Sequence, residues 1–401
     1  MQHRRALQRL SGRVVLLIAL ASVGMVGLGL PDGMQGVAWP SMSGFFRVPL
    51  PFLGILLAVY TSGYIGTSFN SGRILRRFPP GVLLTASATL MGLSLLGFAL
   101  APSWWVLLGA ALLVGSGSGG VDAGLNVYAA TRFSARVTNW MHAFYGLGAA
   151  IGPGIMTGLL VAGWRWQWGY AIASAVLLLI ALGYGLTRNR WQLQDRDSTG
   201  SAQPVVPASS MMTLRQPAAL LSIGVFVLYT GLEVTAGQWA FTLLTQGRGV
   251  DTATAGTWVG MYYAALTLGR IGLGAMANVI PARRLLRMAI AASVLGAGMF
   301  WLDVTPWLSF AGIAILGLSF GPIFPSLIAT TRSRIGKSHT PNAIGFQVAA
   351  AALGAVLAPG AVGIIAGATS LEAISVSVLI GTIVLFALYR TLELRPAPVG
   401  A

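Results

Sequence analysis

Three acidic side chains lie inside long apolar stretches of the chain, where a charge is expensive to bury. They are Asp32, Asp122 and Glu233, and the chain has only nine acidic residues in all. A charge at the centre of a bilayer costs at least about 2.5–3.5 kcal/mol, so such residues face a cavity or a partner and are functional candidates. Burial disfavours the charged form of a carboxylate, so each acid could bind and release a proton. A purely structural, hydrogen-bonded role is the alternative.

Polar and aromatic side chains recur around these acids at helical spacing. Gln35 and Trp39 follow Asp32 on its helix face, and Asn126 lies one turn after Asp122. Carboxylates and amides bind hydroxyl groups, and aromatic rings offer flat faces, so a sugar-like solute fits this set. The predicted substrate-binding residues are Asp32, Gln35, Trp39, Asn126, Tyr145, Glu233 and Gln347, the last only if it faces the axis between the bundles. The predicted proton-coupling residues are Asp32, Asp122, Glu233 and His142.

Several other side chains have two interpretations from sequence alone. His142 could carry a proton or simply hydrogen-bond to a neighbouring helix. Residues Gly115 to Gly120 are four glycines and two serines, which allow either close helix packing or a bend. Tyr60 and Tyr64 are expected to be packing residues rather than ligands.

The composition excludes most classes of protein. Charged residues make up 8%, hydrophobic residues 55%, and the mean hydropathy is +0.76. A soluble protein of 401 residues could not cover its surface with so few charges, so we predict an all-α integral membrane protein. There is no cysteine and no phosphate-binding Gly-x-x-x-x-Gly-Lys motif, and the three histidines show no metal-site spacing. We therefore expect no cofactor and no bound metal.

Twelve apolar stretches are long enough to cross a membrane, which takes about 20 residues. Their predicted bounds are 14–41, 51–72, 81–101, 104–131, 139–162, 168–187, 217–242, 254–276, 286–303, 307–330, 341–366 and 371–389.

Basic residues set the predicted topology. With the N-terminus inside, 22 of the 25 lysines and arginines fall in inner segments, and only Arg47, Arg165 and Arg248 fall in outer loops. Both termini are then cytoplasmic, and we expect a multi-pass protein of the plasma membrane, the inner membrane in a bacterium. Because the basic residues form short clusters between apolar runs, the net charge of +16 does not indicate nucleic-acid binding.

The chain divides into two similar halves. A polar segment, 188–216, is predicted to link an N-terminal six-helix bundle, 1–187, to a C-terminal one, 217–401. Glu233 and Gly237 repeat Asp32 and Gly36 at an offset of 201 residues, as expected for a duplicated unit. If the halves are related in this way, the two acids face one another across the bundle axis.

Twelve spans in two halves, with a basic loop after the second and the eighth, resemble the major facilitator superfamily. The resemblance covers essentially the whole chain and implies two bundles around a pseudo-two-fold axis, with substrate between them near the membrane midplane. The family's loop motif is Gly-x-x-x-Asp followed by basic residues. This chain has Gly66-x-x-x-Asn70 and Gly274-x-x-x-Asn278 instead.

Within that superfamily, three segments are similar to the fucose permease group. They are LPDGMQGVAWP (Leu30 to Pro40), GSGSGGVDAGLN (Gly115 to Asn126) and HAFYGLGAAIGP (His142 to Pro153). The resemblance implies a proton–sugar symporter with one acid on helix 1 and one on helix 4, and Asp32 and Asp122 match those positions.

These observations predict a secondary active transporter that works by alternating access. The expected partners are a small-molecule substrate, protons and membrane lipid, with no nucleic acid, and we expect a monomer. A proton-coupled drug or metabolite antiporter is the main alternative, because it could use the same acids. A membrane enzyme or a non-transporting sensor is a remote alternative, since the loops are too short for a catalytic domain.

Overall fold

The computed structural model describes residues 2–133, 135–192, 209–276 and 280–395. Within these ranges the chain is almost wholly helical and has no strand. The helices are α1 (Gln2–Phe46), α2 (Leu53–Leu75), α3 (Pro80–Leu100), α4 (Trp104–Arg132), α5 (Ala135–Val161), α6 (Gln167–Thr187), α7 (Ser210–Leu214), α8 (Pro217–Thr242), α9 (Thr252–Met276), α10 (Ala282–Leu302), α11 (Pro306–Phe320), α12 (Ile323–Ile335), α13 (Thr340–Ala368) and α14 (Ala373–Glu393). A π-helical turn, Leu243–Gly247, extends α8.

Eleven helical stretches in the described part of the chain are long and apolar enough to cross a membrane, which confirms the all-α, multi-pass prediction. The predicted eighth span corresponds to α9, which is 25 residues long but less apolar than the other spans. The predicted tenth span is one apolar stretch, Pro306–Ile335, that is broken at Gly321 and Pro322 into α11 and α12. Proline removes a helix hydrogen bond, which accounts for the break.

The chain forms two compact units. Unit 1 comprises residues 1–48 and 56–197, and unit 2 comprises residues 49–55 and 198–401. In unit 1, α1 packs chiefly on α5, and α3 packs on α4 and α6. In unit 2, α8 packs chiefly on α13, and α10 packs on α11 and α14. The two units thus repeat one packing order. The predicted linker, 188–216, lies largely outside the described residues, and the predicted domain bounds stay a prediction.

Glycines bring α1 and α5 of unit 1 into backbone contact. A side chain at Gly29 would strike the carbonyl of Tyr145, and one at Gly33 would strike the carbonyl of Ala149. Both helices carry glycines four residues apart, which is the spacing that lets membrane helices approach closely. The α5 pair that meets α1 in return is Gly148 and Gly152. This contact fixes the position of Tyr145 beside α1.

A second glycine pair joins α4 to α2. Gly115 lies against the carbonyl of Tyr60, and Gly119 lies against the carbonyl of Tyr64. Gly117 and Gly120 of the same segment face α3 instead. The glycine-rich segment therefore serves close packing on two sides, and it holds both tyrosines against α4.

A buried arginine ties several elements of unit 2 together beyond the ends of the spans. Arg248 donates two hydrogen bonds to Glu372, at 2.7 and 2.8 Å, and lies 3.3 Å from Asp303. It also donates to Ser309 at 3.0 Å, and its guanidinium stacks on Phe300. The hydrogen bonds from Arg248 hold the pKa of Glu372 below its usual value. The cluster joins the loop after α8 to α10, α11 and α14.

Candidate functional site

Asp32 lies on α1 directly after Pro31, inside unit 1. Tyr145 of α5 donates a hydrogen bond to its Oδ2 at 2.8 Å. The Tyr60 hydroxyl of α2 is also within hydrogen-bonding reach of Asp32, and it donates to Ser118 Oγ of α4 at 3.0 Å. Four helices of unit 1 therefore meet around this carboxylate.

Asp122 is held in the same way on α4. Tyr64 of α2 donates to its Oδ2 at 2.6 Å, and Asn126 donates to its Oδ1 at 2.9 Å. Among the described residues no arginine or lysine lies within 4.0 Å of Asp122. Tyr64 is also within electrostatic range of Asp32. Tyr60 and Tyr64 lie one helical turn apart on α2, one beside each acid. We call Asp32, Tyr60, Tyr64 and Asp122 the tyrosine-lined path.

A small cavity of about 20 Å³ opens beside Asp32. That volume is enough for about one water molecule. Its polar lining is Asp32, Gln35 and Tyr60, and aromatic side chains such as Phe98 and Tyr170 close it. Gln35 is 9% exposed, and its Nε2 has no hydrogen-bond partner within the described ranges. Because a buried unsatisfied donor costs about 1–3 kcal/mol, this amide favours a ligand that supplies an oxygen acceptor.

Two other predicted residues of unit 1 lie apart from this cavity. Trp39 is fully buried and contacts the ring of Trp104 at 6.1 Å between centroids. His142 is exposed on α5, three residues before Tyr145. Their predicted roles in substrate binding and proton coupling stay predictions.

In unit 2 the third acid has a different environment. Glu233 of α8 forms an ion pair with Arg270 of α9, at 2.9 Å, and accepts a hydrogen bond from Tyr229. Tyr262 donates to the Glu233 backbone carbonyl at 2.7 Å. Sequence reasoning assigned Arg270 to a cytoplasmic segment. The structure places Arg270 within α9, six residues before its end, where it forms an ion pair with the carboxylate of Glu233; the side of the membrane on which it lies stays a prediction.

Gln347 of α13 is buried and hydrogen-bonded through both ends of its amide. Its Oε1 accepts from Thr331 at 3.0 Å, and its Nε2 donates to Ser222 at 2.6 Å. These bonds join α8, α12 and α13. A role in substrate binding stays a prediction.

The loop motif after the second span lies in the last turns of α2. Asn70 donates to the Gly66 carbonyl at 2.8 Å and accepts from Arg73 at 3.3 Å. The asparagine thus binds within its own helix. The counterpart, Asn278, lies outside the described residues.

Sequence reasoning missed the part that Tyr60 and Tyr64 play. It treated them as packing residues, yet they hydrogen-bond to Asp32 and Asp122. A signal was present, since both the tyrosines and their glycine contacts on α4 are spaced four residues apart. A single sequence does not show that the two patterns face each other.

Two helical units that repeat one packing order, with two buried acids inside the first, have the architecture of a polytopic membrane protein built by duplication. The family model for the Major Facilitator Superfamily matches residues 17–359 and, in a second match, residues 221–400. The chain belongs to the major facilitator superfamily.

Known proteins similar to this chain agree with that assignment. Bypass of stop codon protein 6 of Saccharomyces cerevisiae is 22% identical over 398 residues, covering 90% of this chain and 79% of that protein. The nucleoside transporter NupG has a TM-score of 0.74 at 11% identity, over 95% of this chain and 100% of its own. The transporter FucP, in an outward conformation, has a TM-score of 0.63 at 12% identity, over 95% and 99%. At these identities the structural likeness shows a shared fold.

Proposed function

We propose that this protein is a proton-coupled symporter of a small polar solute, most simply a sugar or a sugar-like metabolite. The observation that carries the proposal is the tyrosine-lined path between Asp32 and Asp122 in unit 1. The path supplies two acids and the hydroxyl groups between them. Carboxyl and hydroxyl groups in sequence can pass a proton from one to the next, here between α1 and α4.

The partners of each acid favour Asp32 and Asp122 over Glu233 as proton carriers. Neutral hydroxyl and amide donors hold the first two, so a carboxyl can gain a proton there without breaking an ion pair. Protonating Glu233 would leave the Arg270 charge uncompensated in a partly buried place. We therefore assign the coupled proton to unit 1 and a structural or gating ion pair to Glu233.

The cavity beside Asp32 supports a hydroxylated substrate. A hydroxyl group is about the size of the water that would fill this space, and it can accept from Gln35 Nε2 while it donates to Asp32. Tyr60, Phe98 and Tyr170 line this cavity and could pack against a sugar ring only in a conformation where the cavity is wider than the present volume of about 20 Å³. Asn126 and Tyr145 hydrogen-bond to Asp122 and Asp32, and we propose that they are the nearest further polar contacts for a bound solute.

We propose the location and orientation of the protein from its charge distribution. The distribution of arginine and lysine supports both termini in the cytoplasm and a place in the plasma membrane, the inner membrane in a bacterium.

A proton-coupled efflux antiporter is the second candidate. It is favoured by the apolar and aromatic lining around Asp32, which also suits a hydrophobic cation. The two candidates predict opposite responses to an inward proton gradient, namely uptake of solute by a symporter and expulsion by an antiporter.

The test is solute flux in proteoliposomes that contain the purified protein, with and without an imposed pH gradient. The panel holds sugars, hydrophobic cations and nucleosides, the last because NupG is a nucleoside transporter. Uphill uptake of a hydroxylated solute under an inward proton gradient supports the symporter. Solute movement that ignores the gradient contradicts proton coupling, and gradient-driven expulsion of cations selects the antiporter.

A further inference from the structure

Among the described arginines of unit 2, Arg248, Arg270 and Arg334 are partly or fully buried, and the first two form ion pairs with carboxylates. Arg248 pairs with Glu372, and Arg270 pairs with Glu233. Arg334, near the end of α12, is 8% exposed, yet none of the described carboxylates lies within 4.0 Å of it. A buried charge without a counter-charge is unfavourable by several kcal/mol. The nearest described counter-charge is Glu393, which acts on Arg334 from beyond ion-pair distance, so a bound anion would add stabilisation here.

Arg334 makes one side-chain hydrogen bond among those described, and none of its nitrogens is both fully buried and without a partner, so the rest of its fork faces the pocket opening. Its Nη2 donates to the Tyr389 hydroxyl at 3.3 Å, and the guanidinium lies over the Tyr389 ring at 5.3 Å. A guanidinium has five N–H donors in a planar fork, which suits the oxygens of phosphate. One long bond to a neutral hydroxyl does not satisfy that fork.

A pocket opens beside Arg334 where α8, α10, α12 and α14 end or begin. Arg283 of α10 and Arg395, just after α14, stand exposed on its rim, together with Ser333. We call this group of residues, Arg283, Ser333, Arg334 and Arg395, the basic pocket. The pocket is only about 10 Å³ in volume, and its walls include Ala218 and the buried Leu392, so a bound anion would sit at its mouth.

The one acid of the pocket wall is already engaged. Glu393 accepts from Arg287 at 2.8 Å and from Arg390 at 2.5 Å. Two arginines therefore form ion pairs with this one carboxylate. Glu393 also acts electrostatically on Arg334, but Arg287 and Arg390 share the same carboxylate, so the arginines around the pocket outnumber the described acid.

We propose that the basic pocket binds a phosphate-type anion, held by the buried Arg334 and the rim arginines Arg283 and Arg395. The anion is either the headgroup phosphate of an anionic phospholipid or free inorganic phosphate. The pocket lies at the ends of helices long and apolar enough to cross a membrane, and the ends of such helices are where anionic headgroups meet basic side chains. This inference does not depend on the transport mechanism proposed above.

The experiment measures the thermal unfolding temperature of the full-length protein in detergent–lipid micelles. In one arm phosphatidylglycerol is titrated against phosphatidylcholine, and in the other arm inorganic phosphate is titrated against chloride with phosphatidylcholine alone. The test variant is Arg283→Gln/Arg395→Gln, which alters only exposed rim residues and so keeps the fold. The matched control is Arg284→Gln/Arg332→Gln, which removes the same charge from exposed positions outside the pocket.

The wild-type protein and the control should gain stability at the same concentration of anion. The rim variant should need at least about tenfold more, because a charge-assisted hydrogen bond contributes roughly a factor of ten in affinity. Stabilisation by phosphatidylglycerol alone identifies the lipid as the source, and stabilisation by phosphate identifies the free anion. No stabilisation in either arm overturns the proposal, and so does an equal loss in the control variant.

Discussion

Replacing Glu233 by glutamine removes the carboxylate that balances Arg270, and the structure allows the cost to be worked out. Breaking a fully buried ion pair from one side costs about 3–5 kcal/mol. Here the two side chains are 17% and 30% exposed, so water screens part of the charge that remains. We therefore expect Glu233→Gln to destabilise the protein by about 2–3 kcal/mol, or roughly 4–12 °C in unfolding temperature by the scaling of soluble domains of 150–250 residues.

The pair is tested by a double-mutant cycle with Arg270→Gln. In the double variant two amides replace two charges, so it should be more stable than the sum of the single losses predicts, by at least about 1 kcal/mol. Unfolding is followed by tryptophan fluorescence during heating in detergent. The comparison variant is Arg287→Gln, whose ion pair with Glu393 is 51% exposed on the arginine side and should contribute much less, because water and salt screen an exposed pair. Strictly additive losses for Glu233→Gln and Arg270→Gln would refute the ion pair.

The helix ends and helix contacts can be tested separately. Because hydrogen bonds from Arg248 lower the folded-state pKa of Glu372, its stabilisation is present at neutral pH and is lost as pH falls through that pKa. When the pH is lowered, the unfolding temperature of Glu372→Gln should fall less than that of the wild type. The same dependence of unfolding temperature on pH in both proteins would contradict this. Gly29→Ala should destabilise the folded protein by about 1–3 kcal/mol, because the added methyl group overpacks α1 against α5. Gly44→Ala, in open space on the same helix, is the control and should leave stability unchanged. Equal unfolding temperatures for the two variants would contradict the close contact. Reporters active only in the cytoplasm, fused after the sixth and after the last span, should both give signal, and silence at either site would contradict the proposed topology.

Most of the fold could be predicted from the sequence because apolar length and proline spacing determine membrane helices directly. The third span was predicted at 81–101 and lies at Pro80–Leu100. The first span was predicted to end at residue 41, but α1 continues to Phe46 through Pro31 and Pro40. Neighbouring helices can compensate for a proline inside a membrane helix, and this compensation depends on tertiary contacts rather than on local sequence.

Less of the candidate site could be predicted, because partners depend on which helix faces meet. The cost of burying charge was enough to single out Asp32, Asp122 and Glu233. It did not reveal that tyrosines hold the first two and that Arg270 holds the third. Those contacts join residues far apart in the chain, and one sequence carries no direct signal for them.

The most direct test of proton coupling at Asp32 is to measure solute accumulation by the Asp32→Asn variant. The variant is reconstituted in proteoliposomes, and the solute is the substrate identified in the flux panel. One proton moving through 100 mV supplies about 2.3 kcal/mol, which supports roughly 50-fold accumulation in the wild type. Asp32→Asn keeps the shape of the side chain but removes the proton site. We expect that it still exchanges labelled for unlabelled substrate but no longer accumulates it. Asp251→Asn, an exposed acid outside the spans, is the control and should accumulate normally. Proton-driven accumulation that persists unchanged in Asp32→Asn would contradict the proposed coupling.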